Sequence, residues 1–255
     1  MQTVALGRTG ICTSRLGFGT GTHGWGGGSD QTRIGYKKLV NLMRFGYDQG
    51  ITLWDSADGY GSHPHIADAL KDLDRSSVVI VSKTHSKSPE RVHGQIPRFL
   101  SELRTDYIDI LLMHCITQAN WLTDYSDVID IFREAKEKGW VRAIGMSCHD
   151  FGALKTVASA EWIDVVLARI NYDGMKMDAR PDEVIPVLES IHDAGKGVLA
   201  MKVLGQGDLW RDTPRALRFA LGLSCIDAMV IGMTDEFQVR QNVSLAVEHA
   251  TSLPG

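Results

Sequence analysis

At 255 residues with 44% apolar side chains, the chain is long enough for one large α/β domain with a sizeable core. A formal net charge of −4 with interspersed signs excludes the basic footprint of a nucleic-acid or acidic-membrane binder. Cys12, Cys115, Cys148 and Cys225 form no CxxC pair, and no apolar run approaches a membrane span, so a reduced, cytoplasmic protein without a metal centre is expected.

The first residues, "TVALGRTGICTS", read as a small hairpin around Gly7–Gly10. Eight short apolar runs follow: 15–20, 51–57, 78–83, 107–114, 141–147, 163–170, 197–202 and 226–232. Amphipathic segments separate them. Residues 127–139 and 183–195 carry apolar side chains at helical spacing and stop at Gly139 and Gly195. From Asp55, the run ends recur after 28, 31, 33, 22, 33 and 30 residues, the length of a strand–helix unit. The expected fold is therefore α/β: a (β/α)8 TIM barrel, with the hairpin at the barrel bottom and one domain over 1–255. An open doubly wound sheet is the other arrangement. It would want a GxGxxG turn, and "GWGGG" at 24–28 lacks that spacing.

Barrel active sites gather at the carboxyl ends of the strands. Three consecutive runs end in an ionisable residue: Asp55, Lys83 and His114. Tyr60 follows Asp55 within "DSADGYG", where Gly59 and Gly61 let the backbone turn. Parallel neighbours lie about 4.8 Å apart, so the four groups can surround one point. An ammonium beside a phenol lowers its pKa, which makes Tyr60 a candidate acid, held by Lys83 and Asp55. His114 can orient a substrate oxygen. Such a cluster protonates a carbonyl oxygen while an external hydride attacks the carbon. Taken singly, each residue also fits a solvated loop or a hydrogen-bonded core. His63 and His65 read as surface residues.

"GITLWDSADGYG", "VIVSK", "DYIDILLMH", "GWVRAIGMS" and "MVIGMTDEFQVRQNV" together resemble the aldo-keto reductase superfamily along nearly the whole chain, in a short form lacking a long C-terminal loop and any iron–sulfur domain. The resemblance implies a catalytic tetrad of Asp55, Tyr60, Lys83 and His114, with a nicotinamide as hydride donor. It implies that Gly19, Thr20 and Asp55 lie near the nicotinamide ribose and that Ser147 holds the carboxamide. Cys148 and Arg169 stand where the family has asparagine and glutamine, and Met201 replaces an aromatic under the ring. Lys202, Leu204, Gly205 and Asp208 match the segment that closes on the pyrophosphate. Gly232, Met233, Thr234, Gln238, Gln241 and Asn242 match the adenosine end. The cations that clamp a 2′-phosphate in many relatives are replaced by Gly232 and Gln238; Arg240 is the remaining candidate. NADPH is the cofactor implied, with NADH the alternative.

The loops after three of the strands each hold one tryptophan: Trp25, Trp121 and Trp210. Trp25 and Trp121, with Tyr60 and His114, are expected to contact a small-molecule carbonyl substrate. The leading expectation is an NAD(P)H-dependent oxidoreductase. Two further readings fit: a cofactor-binding barrel that reports redox state, and a Schiff-base aldolase using Lys83.

Overall fold

The computed structural model describes residues 1–252 of the chain. The expected chain end just beyond the last helix lies outside the described residues. A hairpin comes first, β1 (Thr3–Ala5) and β2 (Cys12–Ser14), paired antiparallel. Eight parallel strands then close a barrel: β3 (Leu16–Gly19), β4 (Leu53–Asp55), β5 (Val79–Thr84), β6 (Ile108–Ile116), β7 (Val141–Cys148), β8 (Val165–Arg169), β9 (Gly197–Met201) and β10 (Ala228–Gly232), the last pairing back onto β3.

Helices follow the strands in turn. Short α1 (Asp30–Arg33) and α2 (Tyr36–Asp48) follow β3; α3 (His63–Leu70) follows β4; α4 (Pro89–Leu103) follows β5. Short α5 (Trp121–Asp124) and α6 (Ser126–Glu137) follow β6, then come α7 (Phe151–Thr156), α8 (Pro181–Asp193), α9 (Thr213–Gly222) and α10 (Glu236–Ser252). The expected eightfold alternation is present, and so is the hairpin.

Alternation along each strand divides the side chains between two apolar layers. Leu53, Val79, Val81, Ile110, Leu112, Ala143, Val165, Leu167, Leu199, Met201, Ala228 and Val230 fill the barrel interior, with Leu6 and Ile11 of the hairpin loop joining them. The opposite faces, including Phe18, Trp54, Ile80, Leu111, Met146 and Cys148, pack against the helices. Arg8 donates its backbone N–H to Gly195 O just before β9, so the hairpin closes the amino end of the barrel and leaves the carboxyl end open.

Register then sets the height of the polar residues. Asp55 pairs with Val81, two residues before Lys83; Lys83 pairs with Leu112, two residues before His114. Each step of two keeps the side chain on the interior face, while strand tilt brings the three to one level. Continuing the interior alternation around the barrel adds Ser147, Arg169, Met201, Gly232 and Gly19 to the same ring. Strand β6 differs from expectation: it continues past His114 to Ile116, with a register shift between Met113 and Ile116 and a left-handed φ of 61° at Cys115. The irregularity aims two successive side chains, His114 and Cys115, toward the site.

Candidate active site

Lys83 is 1% exposed and donates to Asp55 Oδ1 at 2.5 Å and to Ser56 O at 2.7 Å. Burial pushes the Asp55 carboxyl up and the Lys83 ammonium down, and the attraction between them opposes both shifts. The backbone beneath is fixed by a chain of buried hydroxyls. Thr20 Oγ1 donates to Asp55 O at 2.8 Å and lies 2.7 Å from Ser62 Oγ, which lies 2.6 Å from Ser56 Oγ. Thr20, expected near a ribose, is spent on supporting the Asp55 strand end.

Tyr60 ends a 3₁₀ turn, Asp58–Tyr60, and Gly61 exits it at φ +67°, where a Cβ would meet Gly27 O at 2.1 Å. Its hydroxyl and His114 Nε2 share a hydrogen bond of 3.1 Å. Lys83 Nζ lies 5.0 Å from the Tyr60 ring centroid, with its charge already met by Asp55. The phenol is therefore not acidified as the sequence suggested. Burial, then the Asp55 and Cys115 charges, hold its pKa above the usual value. His114 is held well below its usual value by burial and by Lys83, His85, His149 and Lys202, so its imidazole is neutral. Its Nδ1 is buried without a partner. A neutral phenol hydrogen-bonded to a neutral imidazole retains a proton for an oxygen that becomes strongly basic only during reaction.

A cleft of about 720 Å³, open mouth included, runs from Asp55 and Tyr60 across the ends of β9 and β10. Gly19, Met201, Lys202, Leu204 and Gly232, which the resemblance assigns to the cofactor, line it, joined by Gly21, Thr22, Val203, Gln206 and Gly207. Ser147 Oγ, on the interior face of β7, is buried without a partner, and so is Asn242 Oδ1 in α10. An orphaned buried hydroxyl at the strand-end ring and a cation in the cleft fit a carboxamide and a diphosphate, so the residues present suit a nicotinamide dinucleotide.

Several expected contacts fall elsewhere. Cys148, on the outer face of β7, and Met233, just past the end of β10, pack among helix-layer residues; Cys148 Sγ donates to Asp150 O, and burial pushes its thiol up to about 12. Gln238 Oε1 accepts the Thr234 backbone N–H at 2.9 Å, so these two residues of the adenosine end are engaged with each other. Arg240 turns outward, paired with Glu236 at 3.1 Å and stacked over Phe45. Asp208 is exposed, 3.7 Å from Lys176 Nζ, while Gly205 is buried in a turn at φ +55°. Gln241 lies beside Asn242 on α10.

Of the tryptophans, Trp25 is 72% exposed and sets its ring edge against His85 at 5.1 Å between centroids. Trp121 is not a rim residue. It is fully buried, donates Nε1–H to Thr156 Oγ1 at 2.9 Å and packs edge-on to Trp162, because α5 folds it back onto α7. Trp210 is exposed beneath Arg211. His63 and His65 are also buried, against the surface reading. His63 bridges Ser82 Oγ at 2.8 Å and Glu102 Oε2 at 2.7 Å, and His65 packs on Tyr36.

The sequence reading missed His85, Cys115 and His149. The His85 ring stacks on His114 at 3.9 Å. His149 Nδ1 lies 3.3 Å from Cys115 Sγ and accepts from Arg169 Nη2, while Arg169 Nη1 pairs with Asp178 at 2.8 Å. The imidazole of His149 is held down at about 3 by burial and by Arg169, Lys202, Lys83 and His85. Counting two residues on from Lys83 and from Ser147 reaches His85 and His149, so strand alternation carried a signal for both. Cys115 had none, since the irregularity that turns it inward is not written in the apolar pattern.

Residues 15–215 match the family model described as the aldo/keto reductase family. The NADH-specific methylglyoxal reductase of Escherichia coli strain K12 is 26% identical over 81% of this chain and 68% of that protein. The L-galactose dehydrogenase of Arabidopsis thaliana is 26% identical over 96% of this chain and 88% of its own length. In fold, the holo form of an aldo-keto reductase from Bacillus halodurans superposes with a TM-score of 0.78, at 22% identity, over 97% of this chain and 91% of that one. With the family matched over most of its length and a closed barrel carrying the ring of polar strand ends just described, this chain belongs to the aldo-keto reductase family.

Proposed function

We propose that the protein reduces an aldehyde or ketone to an alcohol, with Tyr60 as proton donor and NADH as the preferred cofactor. The observation that carries this reading is the Tyr60–His114 hydrogen bond beside the buried Asp55–Lys83 pair, at the head of the cleft. The dinucleotide, when bound, supplies the hydride. Met201 is the side chain available beneath the nicotinamide ring, Ser147 for its carboxamide, and Lys202 and the 203–207 turn for the diphosphate.

The rest of the chemistry belongs to this chain's own residues. Tyr60 and His114 orient the carbonyl oxygen by hydrogen bonding. As the carbon accepts hydride, the oxygen becomes an alkoxide, a stronger base than phenolate, and the Tyr60 proton moves to it even from a phenol of raised pKa. Lys83 then stabilises the phenolate left behind, and Asp55 holds Lys83 in place. A Schiff base on Lys83 has no support, since its ammonium is enclosed and held by Asp55 Oδ1 and Ser56 O. The adenosine end favours NADH, because Gln238 and Arg240 are both engaged elsewhere.

The test is Tyr60→Phe, chosen because it leaves the buried ion pair intact; removing one partner of such a pair costs about 3–5 kcal/mol and confounds the result. Turnover of a panel of aldehydes with NADH falls by about 10²-fold or more, while quenching of tryptophan fluorescence by NADH is retained. Undiminished turnover in the variant sinks the assignment of Tyr60.

A further inference from the structure

Beside the buried apolar stripe of α4 (Val92, Ile96, Phe99 and Leu103) runs a polar one that the chemistry above does not use. Gln95, Arg98 and Glu102 stand at i, i+3 and i+7, so they share one side of the helix. Their contacts lead to the two segments that carry Tyr60 and Lys83.

The first segment is the Asp58–Tyr60 turn. Asp58 opens it, and α4 meets both of its carboxylate oxygens: Gln95 Nε2 donates to Oδ2 at 3.1 Å and Arg98 Nη2 to Oδ1 at 2.7 Å. The turn is also tied to the β3–α1 loop, where Gly27 N–H donates to Gly59 O at 2.9 Å. The second segment is the end of β5. Lys83 points into the barrel, so its neighbours Ser82 and Thr84 point out to the helix layer. Thr84 is buried, and its Oγ1 donates to Gln95 Oε1 at 2.6 Å. Ser82 is reached through His63, which bridges it to Glu102, and Glu102 Oε1 accepts from Arg98 Nη1 at 2.8 Å.

One amide therefore joins the two segments directly. Gln95 accepts from the residue after Lys83 and donates to the residue that starts the Tyr60 turn. The Asp58 carboxylate only accepts, which fixes the end of the amide that faces it. What such a bridge sets is distance. Lys83 is already held by Asp55 Oδ1 and Ser56 O, and its Nζ lies 5.0 Å from the Tyr60 ring centroid. The turn must stay at that separation for the ammonium to stabilise the phenolate that proton transfer leaves.

We infer that Gln95 is a positioning residue for the reduction: seated between Asp58 and Thr84, it holds the Tyr60 turn against the end of β5 and so keeps the proton donor in register with Lys83. The inference rests on the reductase reading above and adds to it a residue that lies outside the cleft.

The test exchanges the amide and the carboxylate. Gln95→Glu keeps an acceptor for Thr84 but sets a second carboxylate against Asp58, and the two repel. Adding Asp58→Asn restores a donor to the same contact, and the remaining Asn oxygen still accepts from Arg98. The readout is the single-turnover rate of NADH oxidation with 4-nitrobenzaldehyde, which product release does not mask. Gln95→Glu lowers that rate by about ten-fold or more, since a displacement of about 1 Å at a reacting group costs on the order of 10²-fold. The double variant returns to within about three-fold of the parent, the non-additivity expected of residues in contact. The dissociation constant for NADH, followed by tryptophan fluorescence, is the same in all three proteins. An unchanged rate in Gln95→Glu overturns the positioning role. So does a loss that Asp58→Asn fails to relieve, or one matched by weaker NADH binding, since each would come from a disturbed helix and not from this contact. A parent protein that leaves NADH unoxidised with 4-nitrobenzaldehyde and with the rest of the aldehyde panel overturns the reductase reading, and the positioning role with it.

Discussion

Arg240 and Gln238 decide, residue by residue, what the adenosine end can hold. Arg240 is tied to Glu236 one helical turn earlier and covers Phe45 of α2, so its guanidinium faces away from the cleft. Gln238 is turned back onto the Thr234 amide, and Asp235 caps the Gln238 N–H at 2.9 Å. A 2′-phosphate would bring about two negative charges toward Asp235 and Glu236 with neither of these two candidate side chains turned to receive it. Fluorescence titration is therefore expected to give NADH a dissociation constant about ten-fold below that of NADPH, equivalent to about 1.4 kcal/mol. Arg240→Ala is expected to shift neither value. Tighter NADPH binding that is lost in Arg240→Ala would show that the side chain swings inward and would reverse the preference. At this scale Asp55, Lys83 and His114 were legible as interior residues near the ends of apolar runs, and Tyr60 as the phenol in the glycine-flanked turn that follows the first of them. The Glu236–Arg240 pairing was also written in the sequence, at i,i+4 spacing. What spacing could not convey was how charge is shared: Asp55 absorbs the Lys83 charge, and the expected acidification of Tyr60 becomes its opposite.

Between β3 and α1, the loop "GTHGWGGGSD" acts as an element in its own right. The structure shows what two of its glycines are for. A Cβ at Gly21 would lie 2.1 Å from Tyr60 Cε2, and one at Gly24 would lie 2.4 Å from Tyr60 Cδ1. The bare backbone of this loop therefore contacts both edges of the phenol ring and sets its position over the cleft. Gly24→Ala cannot be accommodated unless Tyr60 or the loop shifts. A displacement of about 1 Å at a reacting group costs on the order of 10²-fold in rate. The expected outcome is that loss in kcat with the urea midpoint little changed. Gly94→Ala in α4 is the control, with nothing within 4 Å of its Cβ, and is expected to stabilise the fold by about 0.5–1 kcal/mol without touching kcat. Wild-type kcat in Gly24→Ala would show that the loop yields freely and positions nothing. The elements themselves were largely legible, since parallel strands buried on both faces read as continuous apolar runs. The irregularity in β6 and the folding back of Trp121 were not. Each depends on contacts with a neighbouring element, β7 in one case and α7 in the other.

Across the whole molecule, the closed barrel brings His85, His114 and His149, from three different strand ends, into one enclosed and cationic space. All three are held below the ordinary histidine pKa, with burial as the largest cause, and His65 behind α2 is lowered in the same way. The unfolded chain binds protons at these histidines near pH 6.5, and the folded chain does not until His149, for one, reaches about 3. A depressed native pKa gives stability that is present above the unfolded value and lost as pH falls from there toward the native one. Each fully excluded proton contributes a slope of about 1.4 kcal/mol per pH unit. Asp55, Asp178 and Asp227 shift the other way: their carboxyls are raised by burial, so their protonation favours the folded state and offsets part of the histidine effect. The histidines start from an unfolded value near pH 6.5, whereas the carboxyls start near 3.9, so the histidines are expected to set the sign between pH 7.5 and 5.5. Urea midpoints are expected to fall across that interval, and less steeply in His149→Gln, which removes one excluded proton. A midpoint that holds level or rises toward pH 5.5 would mean that the folded barrel takes up protons as readily as the unfolded chain. The imidazole beside Tyr60 would then be charged at working pH, and a neutral His114 could not be part of the reaction.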